Sequence, residues 1–309
     1  MVAMGSRATA DTFSVYSIGN SLTEDLNSTL PILATNYLAP LGRTYSYGYQ
    51  IRHGSDITYI FNHPDEPVTK DYYNSPAALT KALPDNHWDA VTFEPYYQST
   101  SEPSTLATDT AAINEMIRLA QSNSSSNSTR FFIYAAWPHT TADDPDSYSR
   151  GYLAAASNKP SQPSLLSRDY ISCLAESVCK TNAGVSIIPA GEVLYAIDQK
   201  MRAGEIPGFA SVRQLYRDDY HLNGPGKNIV GETAYAVIFG QSPVGLDYVS
   251  VGPDGEAKYT KNLPAQFLDA SGVLAVHDPA KMAGLKTDLK IMQQIAWDVI
   301  KHRNQIYFK

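Results

Sequence analysis

The chain of 309 residues predicts an α/β fold, a three-layer α/β/α sandwich around a mostly parallel central sheet. Three observations carry this. Short apolar runs alternate with helical patterns, an order that needs crossover connections between strands. Those runs are apolar without a polar face, as strands covered by helices on both sides must be. Hydrophobic residues make up 43% of the chain, enough for one large core.

The elements follow in order. FSVYSIG (13–19) is the first strand. Residues 26–38 read as a helix with Asp25 as a possible N-cap. TYSYGYQIR (44–52), WDAVTFEP (88–95), RFFIYAAWP (130–138) and VSIIPA (185–190) are the next four strands. Helical patterns occupy 105–121, 163–180, 191–204, 226–240 and 286–303. The first of these gathers Leu106, Asp109, Ile113, Ile117 and Ala120 on one face, with Met116 beside them. QSNSSSNSTR (121–130) is a polar loop between a helix and a strand. Residues 62–87 form a long insertion rich in Pro, Asp and Tyr, a length of loop that often carries function, and 247–284 have no clear period. No internal repeat divides the chain, so 13–309 read as a single domain behind a leader of 1–12.

Composition excludes several classes of partner. The formal net charge is −7 and no dense basic run occurs, which argues against nucleic acid and anionic membranes. No apolar stretch reaches the length of a membrane span. Cys173 and Cys179 are too few for a disulfide scaffold and lack a metal-binding pattern. Six apart in one helix they would lie nearly opposite, against pairing; a turn between them would permit it. MVAMGSRATADT lacks an apolar signal core and reads as an appended leader or as the stub beside a removed signal. A signal stub would put the protein in the periplasm or outside the cell. The sequence carries no signature of oligomeric state.

Ser21 follows the first strand, at the carboxyl edge where α/β sheets place their sites. Gly19 lets the chain turn sharply there. A serine hydroxyl needs a base within about 3 Å to act as a nucleophile. LYRDDYHLNGPG (215–226) supplies His221 just before a helix that starts near Lys227, with Asn223 and Gly224 as the turn into it. Asp218, three residues earlier, can hold one imidazole nitrogen while the other faces Ser21. Asp219 is the rival orienter. Alone, Ser21 has an ordinary reading as a turn or cap serine and His221 as a loop histidine. Together, at two strand-to-helix junctions of one α/β order, they point to acyl transfer.

IGNSLT with DDYHLN resembles the first and last blocks of the SGNH hydrolases, the GDSL-like lipase and esterase superfamily, and more narrowly its carbohydrate-esterase-like branch. Gly19-Asn20-Ser21 stands where the usual block reads Gly-Asp-Ser, and Asp218-x-x-His221 matches the final Asp-x-x-His. The resemblance implies a flavodoxin-like α/β/α domain. It also implies a serine ester hydrolase that works through an acyl-enzyme and needs no metal or cofactor. IGNSLTE is not a Gly-x-Ser-x-Gly elbow, and the acid and histidine stand close together, which separates the chain from the α/β-hydrolases.

The Ser21 amide is one candidate donor for the oxyanion. The resemblance adds a second-block glycine, matched by Gly54 in IRHGSDI, with Gly48 the poorer match because it lies inside a strand run. The third block, Gly-x-Asn-Asp in the family, is missing here. VTFEPYYQS offers Glu94 and Gln98 instead. Gln98 can donate; a Glu94 carboxylate would repel an oxyanion and is read as binding a sugar hydroxyl, orienting a loop, or being protonated. Asn20 stands beside the nucleophile as a further donor. Trp137 and Tyr96 are candidate substrate contacts, Trp137 having the equal reading of a packed core residue, and His53 reads as a pocket or loop histidine. His139 before TADDPD invites a metal reading, but Asp143, Asp144 and Asp146 lack calcium-loop spacing. Twenty-one tyrosines, several read as loop residues (Tyr45, Tyr47, Tyr49, Tyr72, Tyr73, Tyr96, Tyr97), suit a sugar or small aromatic ester better than a long acyl chain. The expected substrate is therefore a small-molecule or glycan ester, with acetyl or another small acyl group removed from a carbohydrate. The alternative, raised by the missing third-block asparagine, is a catalytically impaired glycan-binding or structural domain on the same fold.

Overall fold

A computed structural model describes residues 11–66, 79–95, 104–122, 128–156, 166–250 and 261–308. Five strands, β1 (Thr12–Gly19), β2 (Thr44–Ile51), β3 (Ala90–Phe93), β4 (Arg130–Tyr134) and β5 (Ser186–Ile188), form one sheet in the order β2-β1-β3-β4-β5. Every pairing is parallel. This is the flavodoxin-like order, with its topological switch point between β1 and β3.

Strand residues alternate between two cores. Phe13, Val15, Phe132, Tyr134 and Ile188 join one cluster; Tyr16, Ile18, Val91, Phe93, Phe131, Ile133 and Ile187 join the other. Helices α1 (Ser21–Asn27), α2 (Leu30–Leu38), α8 (Ala190–Arg202) and α9 (Gly224–Phe239) cover the first face; α3 (Ile57–Asn62), α5 (Leu106–Gln121) and α7 (Arg168–Cys179) cover the second. Two further short helices, α4 (Leu79–Asp85) and α6 (Ser147–Tyr152), precede β3 and follow β4. The long α10 (Pro279–Tyr307), capped by Asp278, packs on α8, α9 and α7. The two faces and the parallel sheet give the three-layer sandwich that the sequence predicts.

The differences are local. Asp25 is not an N-cap: the helix starts earlier, at Ser21, and Asn20 caps it by accepting from the Leu22 amide. The chain then breaks at Ser28–Thr29 and restarts with a proline in the first turn of α2. α9 begins at Gly224 rather than near Lys227, under an Asn223 cap. Tyr45, Tyr47 and Tyr49 lie in β2, not in a loop, and Tyr49 is buried. Cys173 and Cys179 both lie in α7 and are free thiols. On α5 the expected face is buried except at Leu106, and it includes Asp109. That carboxylate accepts from Thr58 and Tyr170 at 2.6 Å each and from Ser104, so hydroxyls from the neighbouring segments satisfy it. No helix among the described residues is long and apolar enough to cross a membrane.

Candidate active site

β1 delivers Ser21 to the switch point. Gly19 is required here by close approach rather than by an unusual φ: a Cβ would lie 2.2 Å from the Thr23 hydroxyl and 2.6 Å from Glu94. Asn20 has extended backbone and both ends of its amide are used. Its Oδ1 caps Leu22 N, and its Nδ2 donates to Ser55 O at 3.2 Å. Ser21 is thus the first residue of α1, and its side chain faces the loop before α9.

That loop is folded back on itself. Tyr216 and Leu222 form an antiparallel bridge, and the Arg217 amide donates to His221 O. His221 Nε2 lies 2.9 Å from Ser21 Oγ, and its Nδ1 lies 2.9 Å from Asp218 Oδ2. Asp218 Oδ1 also accepts the amides of Tyr220 and His221. Burial pushes the Asp218 carboxyl up, but those two amides and the imidazole outweigh it and hold it below the usual carboxylate range. The ring is therefore fixed by an ionised partner on one side and offers its other nitrogen to the serine.

Asp219 points elsewhere. Its carboxylate pairs with Arg213 at 2.8 Å, and the same guanidinium donates to Thr140 Oγ1 and to the Asp218 carbonyl. The Thr140 amide donates to Asp219 O. Trp137 belongs to this brace and not to a cleft wall: it is fully buried, and its Nε1 donates to Tyr220 O at 2.8 Å. The substrate-contact reading of Trp137 gives way to the packed one, because no face of the ring is left for a ligand. His139 stacks its edge on Tyr220, 3.9 Å between ring centres, and burial pushes its imidazole down to about 4, so it is neutral at physiological pH. Nearby Asp144 is paired with Arg150. No group of three or more His, Cys, Asp or Glu among the described residues could hold a metal ion.

No family model matches the sequence, and no curated protein matches it by sequence. Its fold is shared with a solved structure. A DUF4886 family protein from Bacteroides uniformis superposes over 95% of this chain and 96% of its own, with a TM-score of 0.58 and 17% identity. A carbohydrate esterase family 2 enzyme with a carbohydrate-binding domain, from Corynascus thermopiles (Myceliophthora fergusii), matches at a TM-score of 0.41 and 15% identity, over 76% of this chain and 68% of that one. A two-domain esterase active on acetylated mannans matches at 0.44 and 13%, over 82% and 55%.

Gly54 ends the turn after β2 with φ +66°, a left-handed conformation that suits glycine. His53 beside it pairs with Glu24 of α1 at 2.5 Å, a hydrogen bond that raises its pKa, and so ties the Gly54 turn to the serine helix. Gly48 lies inside β2, where a Cβ would meet Trp88 and Tyr16 at 2.9 Å; its absence of side chain serves packing. Gln98 and Tyr96, with Tyr72, Tyr73 and Tyr97, lie outside the described residues.

Glu94 is not on the surface of a cleft. It is fully buried directly behind the Ser21 turn, so it has no route to a sugar hydroxyl. Its Oε2 accepts from Asn20 N at 3.1 Å, Thr23 N at 3.0 Å and the Thr23 hydroxyl at 2.5 Å. Burial pushes its carboxyl up to about 7, against those three donors, which pull it down. Folding therefore tightens proton binding. The resulting stabilisation is complete below the ordinary value of 4.5 and is lost as pH rises through about 7. Glu94→Gln removes this dependence. Urea unfolding at pH 5 and pH 8 should show the variant gaining on the wild type by up to about 3 kcal/mol between the two. An unchanged difference would mean that Glu94 does not titrate in this range.

The sequence reading missed two buried residues that join the halves of the site. Asp25 of α1 accepts from Leu222 N at 2.8 Å, next to His221, and pairs with Lys227 of α9 at 3.0 Å. Both side chains are 2% exposed. Lys227 also donates to Ser28 Oγ, and Thr29 donates to Lys227 O. A signal was present: Lys227 stands two residues before the apolar Ile229 and Val230 of α9, and a lysine has to find an anion if it is buried.

Proposed function

We propose that the protein is a serine ester hydrolase working through an acyl-enzyme on Ser21. The observation that carries this is the relay Asp218–His221–Ser21, with both imidazole contacts at 2.9 Å. Ser21 Oγ attacks the ester carbonyl carbon as His221 Nε2 takes its proton, and Asp218 fixes the tautomer and balances the imidazolium. The amides of Ser21 and Gly54 receive the oxyanion, with Gln98 as a further donor. Collapse expels the alcohol, which takes the proton from His221. Water then enters, deprotonated by the same base, and frees the acid. The assembled relay favours hydrolysis over the binding-only alternative.

The proposed substrate is a carbohydrate carrying acetyl or another small acyl group, acted on outside the cytosol. The resemblance to the carbohydrate-esterase-like branch supports this choice. The tyrosine lining adds less than the sequence implies, because Tyr45, Tyr47 and Tyr49 belong to a strand.

Quenching the enzyme during turnover of p-nitrophenyl acetate should leave an acetyl group on the peptide carrying Ser21, detectable by mass spectrometry. Turnover with no acyl group there would sink the mechanism. The two acids of RDDYH give a ranking on the same substrate. Asp218→Asn should lose far more kcat/KM than Asp219→Asn. The corresponding aspartate change in a serine protease costs about 10⁴-fold, whereas Asp219 makes a surface ion pair of about 0–1 kcal/mol. The reverse order, in variants with native circular dichroism, would reassign the orienter.

A further inference from the structure

Glu94 is a carboxylate close behind Ser21 that belongs to neither the relay nor its brace. It leaves the carboxyl end of β3, beside β1 at the switch point, and its amide donates to Ile18 O at 2.9 Å. Its side chain turns under the nucleophile, not toward any solvent-facing surface. One oxygen collects three donors from Asn20 and Thr23, which bracket Ser21 and Leu22. The other oxygen is buried and makes no hydrogen bond among the described residues. Gly19 is confined by the same carboxylate, since a Cβ there would collide with it. Asn20, so held, reaches across to Ser55 O in the Gly54 turn.

We infer that Glu94 is a positioning residue for the nucleophile, whose buried carboxylate fixes the Asn20–Thr23 turn and so aims Ser21 at His221 and holds the Gly54 turn beside it. The inference rests on the hydrolase reading above. Its physical basis is the number and kind of donors. Hydrogen bonds to an ionised acceptor are about twice as strong as neutral ones, and three converge on a single oxygen. A fully buried carboxylate with one bare oxygen is costly in itself, so a core chosen for stability alone would carry an apolar residue here. Protonation weakens the acceptor, so the hold on the turn loosens as pH falls. Among the described residues, the titratable and charged groups facing Glu94 from other elements are Asp25 of α1, which is paired with Lys227 of α9, and Tyr134 of β4. Asp25 and burial both favour the protonated form; the three donors oppose it.

Glu94→Gln keeps the volume and one acceptor oxygen but removes the charge. On p-nitrophenyl acetate its kcat should fall roughly 10- to 100-fold, the scale of a small misplacement of a reacting group, with KM nearly unchanged. The rate at which a fluorophosphonate probe modifies Ser21 should fall by the same factor. The acid limb of the kcat/KM profile should lose one of its ionisations. A brace that serves stability alone would move none of these three. Thr23→Val should act in the same direction, and Thr23→Ser, which keeps the hydroxyl, should restore the rate. A folded Glu94→Gln with wild-type kcat, probe rate and acid limb overturns the inference, as does a loss confined to KM. If Glu94→Gln does not fold, the Thr23 pair decides, and a wild-type rate in Thr23→Val overturns it. Ser21→Ala, assayed alongside, separates the two levels. Turnover that survives it defeats the hydrolase reading. Turnover that vanishes there but is untouched in Glu94→Gln and Thr23→Val defeats the positioning role alone.

Discussion

Ser21→Ala and His221→Ala should each lower the turnover of a soluble acetate ester by about 10⁴-fold or more, with native circular dichroism and an unchanged urea midpoint. The reason lies in the geometry of the pair. Ser21 Oγ and His221 Nε2 are 2.9 Å apart and only partly buried, so truncating either removes a reacting group without opening a core cavity. Members of such a relay act as a unit, and their losses do not add. The double variant Ser21→Ala/His221→Ala should therefore be no worse than the poorer single one. Additive losses would mean that the two residues act in separate steps. Turnover near wild type in purified Ser21→Ala, with contaminating esterase excluded by immunodepletion, would remove the serine mechanism altogether.

Breaking the buried pair between Asp25 and Lys227 should produce the largest loss of stability. Removing one partner leaves an uncompensated charge at a site 2% exposed, and such changes cost about 3–5 kcal/mol. Lys227→Met and Asp25→Leu should each lower the unfolding free energy by that amount, read as a lower urea midpoint at constant slope. Replacing both with apolar residues of similar volume removes the stranded charge, so Asp25→Leu/Lys227→Met should recover most of the stability. Activity should not recover with it. Asp25 Oδ2 anchors the Leu222 amide at 2.8 Å, and nothing in the double variant replaces that acceptor beside His221. A double variant restored in both stability and kcat would show that the anchor is dispensable. One restored in neither would show that this pair cannot be exchanged for apolar packing.

Sequence periodicity was enough for the frame of the fold because its physics is local. The runs that become β1 to β5 and the longer helices carry their burial pattern within one element, as α5 shows at Ala112, Ile113, Met116 and Ile117. The short helices α1, α3, α4 and α6 offer too few turns for a period to emerge. Ser21, Asp218 and His221 were also legible as candidates, because Ser21 follows a strand and an acid and a histidine in a recognisable spacing precede a helix. What the sequence could not supply was direction. Whether Asp218 or Asp219 faces the imidazole depends on Arg213 and Thr140, which capture Asp219. Glu94 and Trp137 both follow strands at the active edge, yet each is buried, one under the serine turn and one behind the histidine loop. Asp25 and Lys227 stand about 200 residues apart in the chain and acquire meaning only in contact. The sequence by itself determined the alternation of elements and the candidate reactive groups in the loops between them. The tertiary structure decided which side chains meet, because that choice is made by partners distant in sequence and by the cost of leaving any buried charge without one.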